Sequence, residues 1–184
     1  KQNKQIEIMR KLVLLLVFSV LPTTFFGQSA FDKFDGQDDV TSVIVNKKMF
    51  EMMGSVKMDS KDKDTQQYLN LIKKLDNLKV FTTNSTRVTS EMKATSDKYM
   101  KSAGLEELMR INDGGKNIKI WVKSGAKDSQ IKELLMFMEG ISKGNETVLM
   151  LLTGDFDLNE ISVLTDKMRL PGGDELKKAT KNKK

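Results

Sequence analysis

The chain has 184 residues, of which 39% are apolar and 30% are charged, a balance that fits one globular domain with its own core rather than a disordered chain. It contains no cysteine and no histidine, which excludes disulfides, thiolate and imidazole metal sites, a lipid-bearing cysteine, and Ser-His-Asp or Cys-His catalysis. The net charge is +6, but residues 1–28 and 177–184 carry the basic excess and leave about −2 between them. Because nucleic-acid modules concentrate positive charge on their folded face, we expect no nucleic-acid binding.

Residues 1–28 are predicted to be an upstream extension followed by a signal peptide. Met9 is the expected start, a basic pair follows it, and residues 12–21 form an apolar run. This run is shorter than the roughly 20 residues that span a bilayer, so it is typical of a secretory signal. We expect cleavage between Gly27 and Ala30, release to the periplasm or the exterior, and no stable membrane insertion afterwards. A buried N-terminal helix and an uncleaved anchor are the alternatives.

Residues 30–170 are expected to form a single domain, and the lysine-rich residues 171–184 a disordered tail. In chain order, the first half contains a β-branched strand, a helix capped by Asn46, a second helix, a strand and a long polar helix that ends at Gly104. We expect the methionines and the phenylalanine of the first helix to point inward. The predicted bounds are 40–45, 47–54, 65–75, 78–82 and about 85–102.

The second half begins with a strand near Leu105–Ile111 and a hairpin turn at Asn112–Gly115, where glycine accepts positive φ. Residues 116–123 alternate, with Lys119, Trp121 and Lys123 on one face of a strand. Residues 131–138 suit a helix or a strand equally well. A buried strand over 147–153 and a helix from Asp157 to about Met168 complete the order. Such an order implies an α+β fold, with an antiparallel sheet of five to six strands and helices packed mainly on one face.

Several of these segments resemble one family. They are the runs Val40–Val43, Leu105–Gly114, Lys119–Lys123 and Val148–Leu158. Together they are similar to the domain-of-unknown-function 4252 family, small exported proteins and lipoproteins of Bacteroidota. The resemblance covers about Phe31–Asp166, implies a strand for residues 131–138, and brings no catalytic residues.

Methionine is common, with 12 residues in the chain. Met49, Met52, Met53 and Met58 offer thioethers that a soft Cu(I) ion prefers, whereas the competing and favoured interpretation places them in the core. Asp155, Asp157 and Asn159 imitate the start of a calcium loop, but that loop needs a glycine where Glu160 stands. The same residues fit a helix cap better.

The remaining candidate surface is the strand face of Lys119, Trp121 and Lys123. If it is open, Trp121 is a contact for a protein partner or a glycan; if a helix covers it, the ring belongs to the core, which we favour. We expect no catalytic residues, no cofactor and no enzymatic activity. The function expected from the sequence is that of a non-catalytic envelope protein that binds or regulates another envelope component, with Cu(I) binding as the alternative.

Overall fold

A computed structural model describes residues 28–55, 63–127, 129–140, 145–169 and 171. The predicted signal peptide, the lysine-rich tail and Met58 therefore lie outside the described residues, apart from the few residues at the edges of those segments. Within the described part, no helix is long and apolar enough to cross a membrane.

The described residues form six β-strands, four α-helices and two short 3₁₀ helices. The strands are β1 (Thr41–Asn46), β2 (Leu75–Thr83), β3 (Glu106–Asp113), β4 (Lys116–Ser124), β5 (Gln130–Glu139) and β6 (Thr147–Asp157). The α-helices are α1 (Lys47–Gly54), α2 (Lys63–Ile72), α3 (Thr86–Ala103) and α4 (Ile161–Met168). The 3₁₀ helices are Gln28–Phe34 and Leu158–Glu160.

All six strands form one antiparallel sheet in the order β1-β2-β6-β5-β4-β3. The last strand inserts between β2 and β5, so that β1 and β3 form the two edges. The predicted α+β class and the antiparallel sheet are confirmed, as is the strand over 131–138. The second helix was predicted to reach Leu75, but it ends at Ile72 because Leu75 already begins β2.

Each face of the sheet has its own apolar core. The first core lies under α1, α2 and α4, so three of the four described helices share one face, in agreement with the prediction. The second core is covered by α3 and the 3₁₀ helix Gln28–Phe34, which place Val88, Met92, Phe31 and Phe34 on the opposite face. The strands between them are buried on both sides, which explains the unbroken apolar runs of β5 and β6.

Local signals in the sequence define several boundaries well. The side chain of Asn46 accepts a hydrogen bond from the Met49 amide at 3.0 Å and starts α1 at the predicted residue. Gly104 ends α3 in the left-handed conformation at φ 66°. Gly114 and Gly115 take φ values of 53° and 93°, as the predicted hairpin turn between β3 and β4 requires.

Candidate functional site

The strand face that was a candidate contact surface is covered, as the favoured core interpretation of Trp121 predicts. Trp121 is only 2% exposed and belongs to the second core, under α3 and the 3₁₀ helix Gln28–Phe34. The ammonium of Lys119 lies 5.9 Å from the centre of its ring, and Lys123 is exposed beyond it. The condition for a partner site at Lys119, Trp121 and Lys123 is therefore not met, because a helical layer covers the ring.

The methionines of α1 correct one expectation. Phe50 is fully buried and Met53 packs partly against the first core, but Met49 and Met52 are 49% and 58% exposed. The prediction that all four apolar side chains of α1 point inward is wrong for these two. An eight-residue helix beside an edge strand contacts the sheet along a narrow arc, which Phe50 and Met53 occupy.

The other large apolar side chains that are exposed lie in β1, the strand that α1 follows directly. Val43 and Ile44 are 46% and 43% exposed, and alternation places them on opposite faces of this edge strand. On its inner side β1 pairs with β2, whereas no strand among the described residues pairs with its outer side. We call Val43, Ile44, Met49 and Met52 the β1–α1 edge; they lie within ten residues of chain.

Charged residues of opposite sign flank the β1–α1 edge. Asp38 and Asp39 precede β1 and are exposed, and Lys47 and Lys48 follow it and are exposed as well. Lys47 binds Asp76 at 2.9 Å, and this hydrogen bond raises the pKa of the Lys47 ammonium; Lys48 lies 3.6 Å from Glu51. The β1 strand therefore has acidic residues before its N-terminal end (the acidic entry), an uncharged apolar centre, and basic residues after its C-terminal end (the basic exit).

A polar cluster that the sequence did not predict lies on the α3 face of the sheet. The Tyr99 hydroxyl donates a 2.5 Å hydrogen bond to Glu133 Oε1. Burial raises the pKa of Glu133, although the bond from Tyr99 and the nearby Lys123 oppose it. Burial also raises the pKa of Tyr99, and its bond to the Glu133 carboxylate adds to the effect.

Two neighbours of Glu133 have unsatisfied oxygen atoms. Thr153 lies opposite Glu133 in β6, and Asn77 lies opposite Thr153 in β2. Thr153 is 7% exposed, and its Oγ1 and the Asn77 Oδ1 find no hydrogen-bond partner among the described residues. An ordered water bound between them would satisfy both atoms. No sequence signal joins these residues, because they come from α3, β2, β5 and β6.

The residues that imitate a calcium loop form the N-terminal cap of the 3₁₀ helix Leu158–Glu160, which leads directly into α4. Asp157 accepts hydrogen bonds from the Asn159 amide at 2.8 Å and from Ser129 at 2.7 Å, and Glu160 completes the capping box. Although burial opposes it, these bonds lower the pKa of Asp157. Asp155 binds Lys132 at 2.9 Å. The Asn159 side chain donates a further hydrogen bond to Asp157 at 2.7 Å, so these residues satisfy one another within the cap.

Among the described residues, the α+β sheet has one edge strand with charged residues, β3, and one without, β1, and the exposed large apolar side chains lie in β1 and α1. No group of three or more acidic, histidine or cysteine side chains that could hold a metal ion occurs among the described residues. The chain belongs to the family Domain of unknown function (DUF4252), whose family model matches residues 34–164. No curated protein and no solved structure matches it.

Proposed function

We propose that the chain is an exported, non-catalytic envelope protein of a bacterium of the Bacteroidota, and that it binds or regulates another envelope component through the β1–α1 edge. One observation carries this proposal: the large apolar side chains found exposed in the described residues all belong to this edge. Single exposed apolar side chains are normal on a soluble protein, whereas several within ten residues of one sheet edge are typical of a contact surface.

Composition supports the remaining parts of the proposal. A chain without cysteine or histidine lacks the common nucleophile–base pairs and the usual ligands of catalytic metals. The basic pair and apolar run after Met9 are typical of a signal peptide. The near-neutral central region provides no basic face for nucleic acid.

Export is tested by producing the chain from Met9 in a bacterial host with an epitope at its C-terminus. We expect a product that has lost the residues before the Gly27–Ala30 region and that osmotic shock releases. An unprocessed chain that fractionates with the cytosol would contradict the proposed compartment. A variant with Leu14 and Leu15 changed to Asp serves as the control, because it removes the apolar run without touching the domain.

Binding is tested by capture from envelope extracts with three immobilised proteins: the wild type, Met52→Lys and Asn112→Lys. Met52 belongs to the β1–α1 edge, whereas Asn112 is exposed on the opposite edge strand β3. We expect the wild type and Asn112→Lys to retain the same envelope component and Met52→Lys to lose most of it. Equal recovery by all three proteins, or no recovery above background, contradicts the proposal.

Copper binding is the second candidate, and the exposure of Met49 and Met52 favours it. Residues three apart on a helix are neighbours, so both thioethers face solvent on the same side of α1. Cu(I) titration of the protein under reducing conditions, with a Met49→Leu/Met52→Leu variant as the control, tests this function. Binding weaker than about micromolar, or equal binding by the control, removes it.

A further inference from the structure

We infer that the partner of the β1–α1 edge is a second copy of this chain, joined through antiparallel pairing of the two β1 strands. The inference rests on the proposed use of this edge for binding and adds the identity of the partner. Two six-stranded sheets would then become one continuous sheet across a two-fold axis, with β1 strands at its centre.

The two edges of the sheet differ in the features that prevent pairing. The sequence of β3 is EELMRIND, and four of its residues are charged. Its register with β4 is broken between Glu107 and Met109, and Glu107 binds Arg110 at 2.5 Å. Charges and bulges are the usual protection of an edge strand. The sequence of β1 is TSVIVN, with no charge and no proline, and its register with β2 is unbroken. Of the two edges of the described sheet, β1 is thus the one suited to accept another strand.

The flanking charges identify what that strand must look like. An antiparallel partner places its own C-terminal end beside Asp38 and Asp39, and its N-terminal end beside Lys47 and Lys48. From its N-terminal to its C-terminal end, the partner strand must therefore carry acidic, then apolar, then basic residues. The segment 38–48 of this protein has that order, so each acidic entry would face the basic exit of the other copy.

The side chains also select one register. A two-fold axis perpendicular to the sheet preserves the faces, so residue numbers of directly opposed positions must add to an even number. Pairing centred on Ile44 sets Ile44 against its own counterpart and Val43 against Val45 on each side. Pairing centred on Val43 would instead oppose Ser42 to Ile44 and Thr41 to Val45. The first register keeps apolar side chains together on both faces, and we infer that it is the one formed.

Cysteine substitution tests the register, because the chain has no cysteine of its own. In the inferred register, position 44 faces itself at the roughly 4.5–5.5 Å spacing of opposed residues, which a disulfide bridges. Position 43 faces itself only diagonally, at about 7–8 Å, beyond comfortable reach. We expect oxidation to shift Ile44→Cys from the mass of one chain to twice that mass on a non-reducing gel, while the similarly exposed Val43→Cys remains at the mass of one chain.

Sedimentation of the full chain tests the pairing without a cross-link. We expect a dimer for the wild type and for Asn112→Lys on β3, and a monomer for Ile44→Lys, which places a charge at the centre of the interface. Lys48→Glu and Asp38→Lys should each weaken the dimer, and an equimolar mixture of the two should restore it. Circular dichroism checks the fold of each variant, and we expect all of them to remain folded because the four positions are exposed.

A monomeric wild type together with an unlinked Ile44→Cys overturns the inference, and so does linking of Val43→Cys as readily as Ile44→Cys. If such a monomer still captures an envelope component that Met52→Lys loses, the proposed function stands and the second copy is the wrong partner. A dimer that Ile44→Lys dissociates supports the inference even if no other envelope component is captured.

Discussion

Replacing Tyr99 by Phe should destabilise the fold by an amount that depends on pH. The substitution keeps the ring, which packs edge-on against Phe31 with centroids 4.9 Å apart, and removes the hydroxyl that donates to Glu133. A hydrogen bond to a charged group contributes about 1.5–3 kcal/mol and one between neutral groups about 1 kcal/mol. Because Glu133 is only partly buried, we expect a loss near 1.5–2 kcal/mol at pH 7.

The sign of the pH dependence follows from the pKa of Glu133. Burial raises it above the reference value of 4.5, so the folded state holds this proton to higher pH than the unfolded state. The stability that protonation provides is complete below pH 4.5 and is lost as pH rises through the folded pKa. The Tyr99 hydroxyl lowers this pKa, so Tyr99→Phe raises it further and destabilises the ionised form most. Near pH 4 the loss should fall to about 0.5–1 kcal/mol.

The assay is urea unfolding of the wild type, Tyr99→Phe, Glu133→Gln and the double variant at pH 7 and at pH 4. In the Glu133→Gln background the cost of Tyr99→Phe should be about 1 kcal/mol at both pH values, because the amide does not ionise. If Tyr99→Phe costs the same at both pH values while Glu133 is present, the Tyr99 hydroxyl does not donate to an ionised Glu133 carboxylate at pH 7. A cost below about 0.5 kcal/mol at pH 7 would refute the bond itself.

Three further changes have sharp expectations, each measured as the free energy of unfolding. Gly140→Ala should cost about 2–4 kcal/mol, because φ is 73° and the added methyl group would collide with the Gly115 carbonyl oxygen. Gly104→Ala is the control: φ is 66° but the space around it is open, so it should cost only about 1 kcal/mol. Equal costs for the two variants would contradict the collision. Asp157→Ala should cost about 1 kcal/mol at neutral pH, because the Asp157 carboxylate caps the helix and has a lowered pKa. The cost should disappear as pH falls below 3.8 and the carboxylate becomes protonated. A cost that persists in acid would exclude the capping role of the carboxylate. Trp121→Ala should cost about 3–5 kcal/mol by opening a cavity, and a loss under 1 kcal/mol would show that the ring is not enclosed.

The sequence predicts correctly those features that depend on only a few neighbouring residues. The Asn46 cap, the glycines of the hairpin turn and the Asp157–Glu160 capping box each satisfy backbone groups within a turn of the chain, so their residues suffice to place them. The alternation of residues 116–123 likewise assigned Trp121 and its two lysines to one face. Composition excluded the chemistry of thiols and imidazoles without reference to any fold.

The tertiary structure alone decided which surfaces are covered. Helical spacing showed that α1 is amphipathic, but the position of α1 beside an edge strand left Met49 and Met52 outside. The sparse apolar positions of α3 gave no sign that this helix closes the face of Trp121, and the Tyr99–Glu133 bond joins residues 34 apart. Periodicity fixes how side chains divide between the faces of one element, whereas burial depends on which other element packs there, and that is set by contacts between distant parts of the chain.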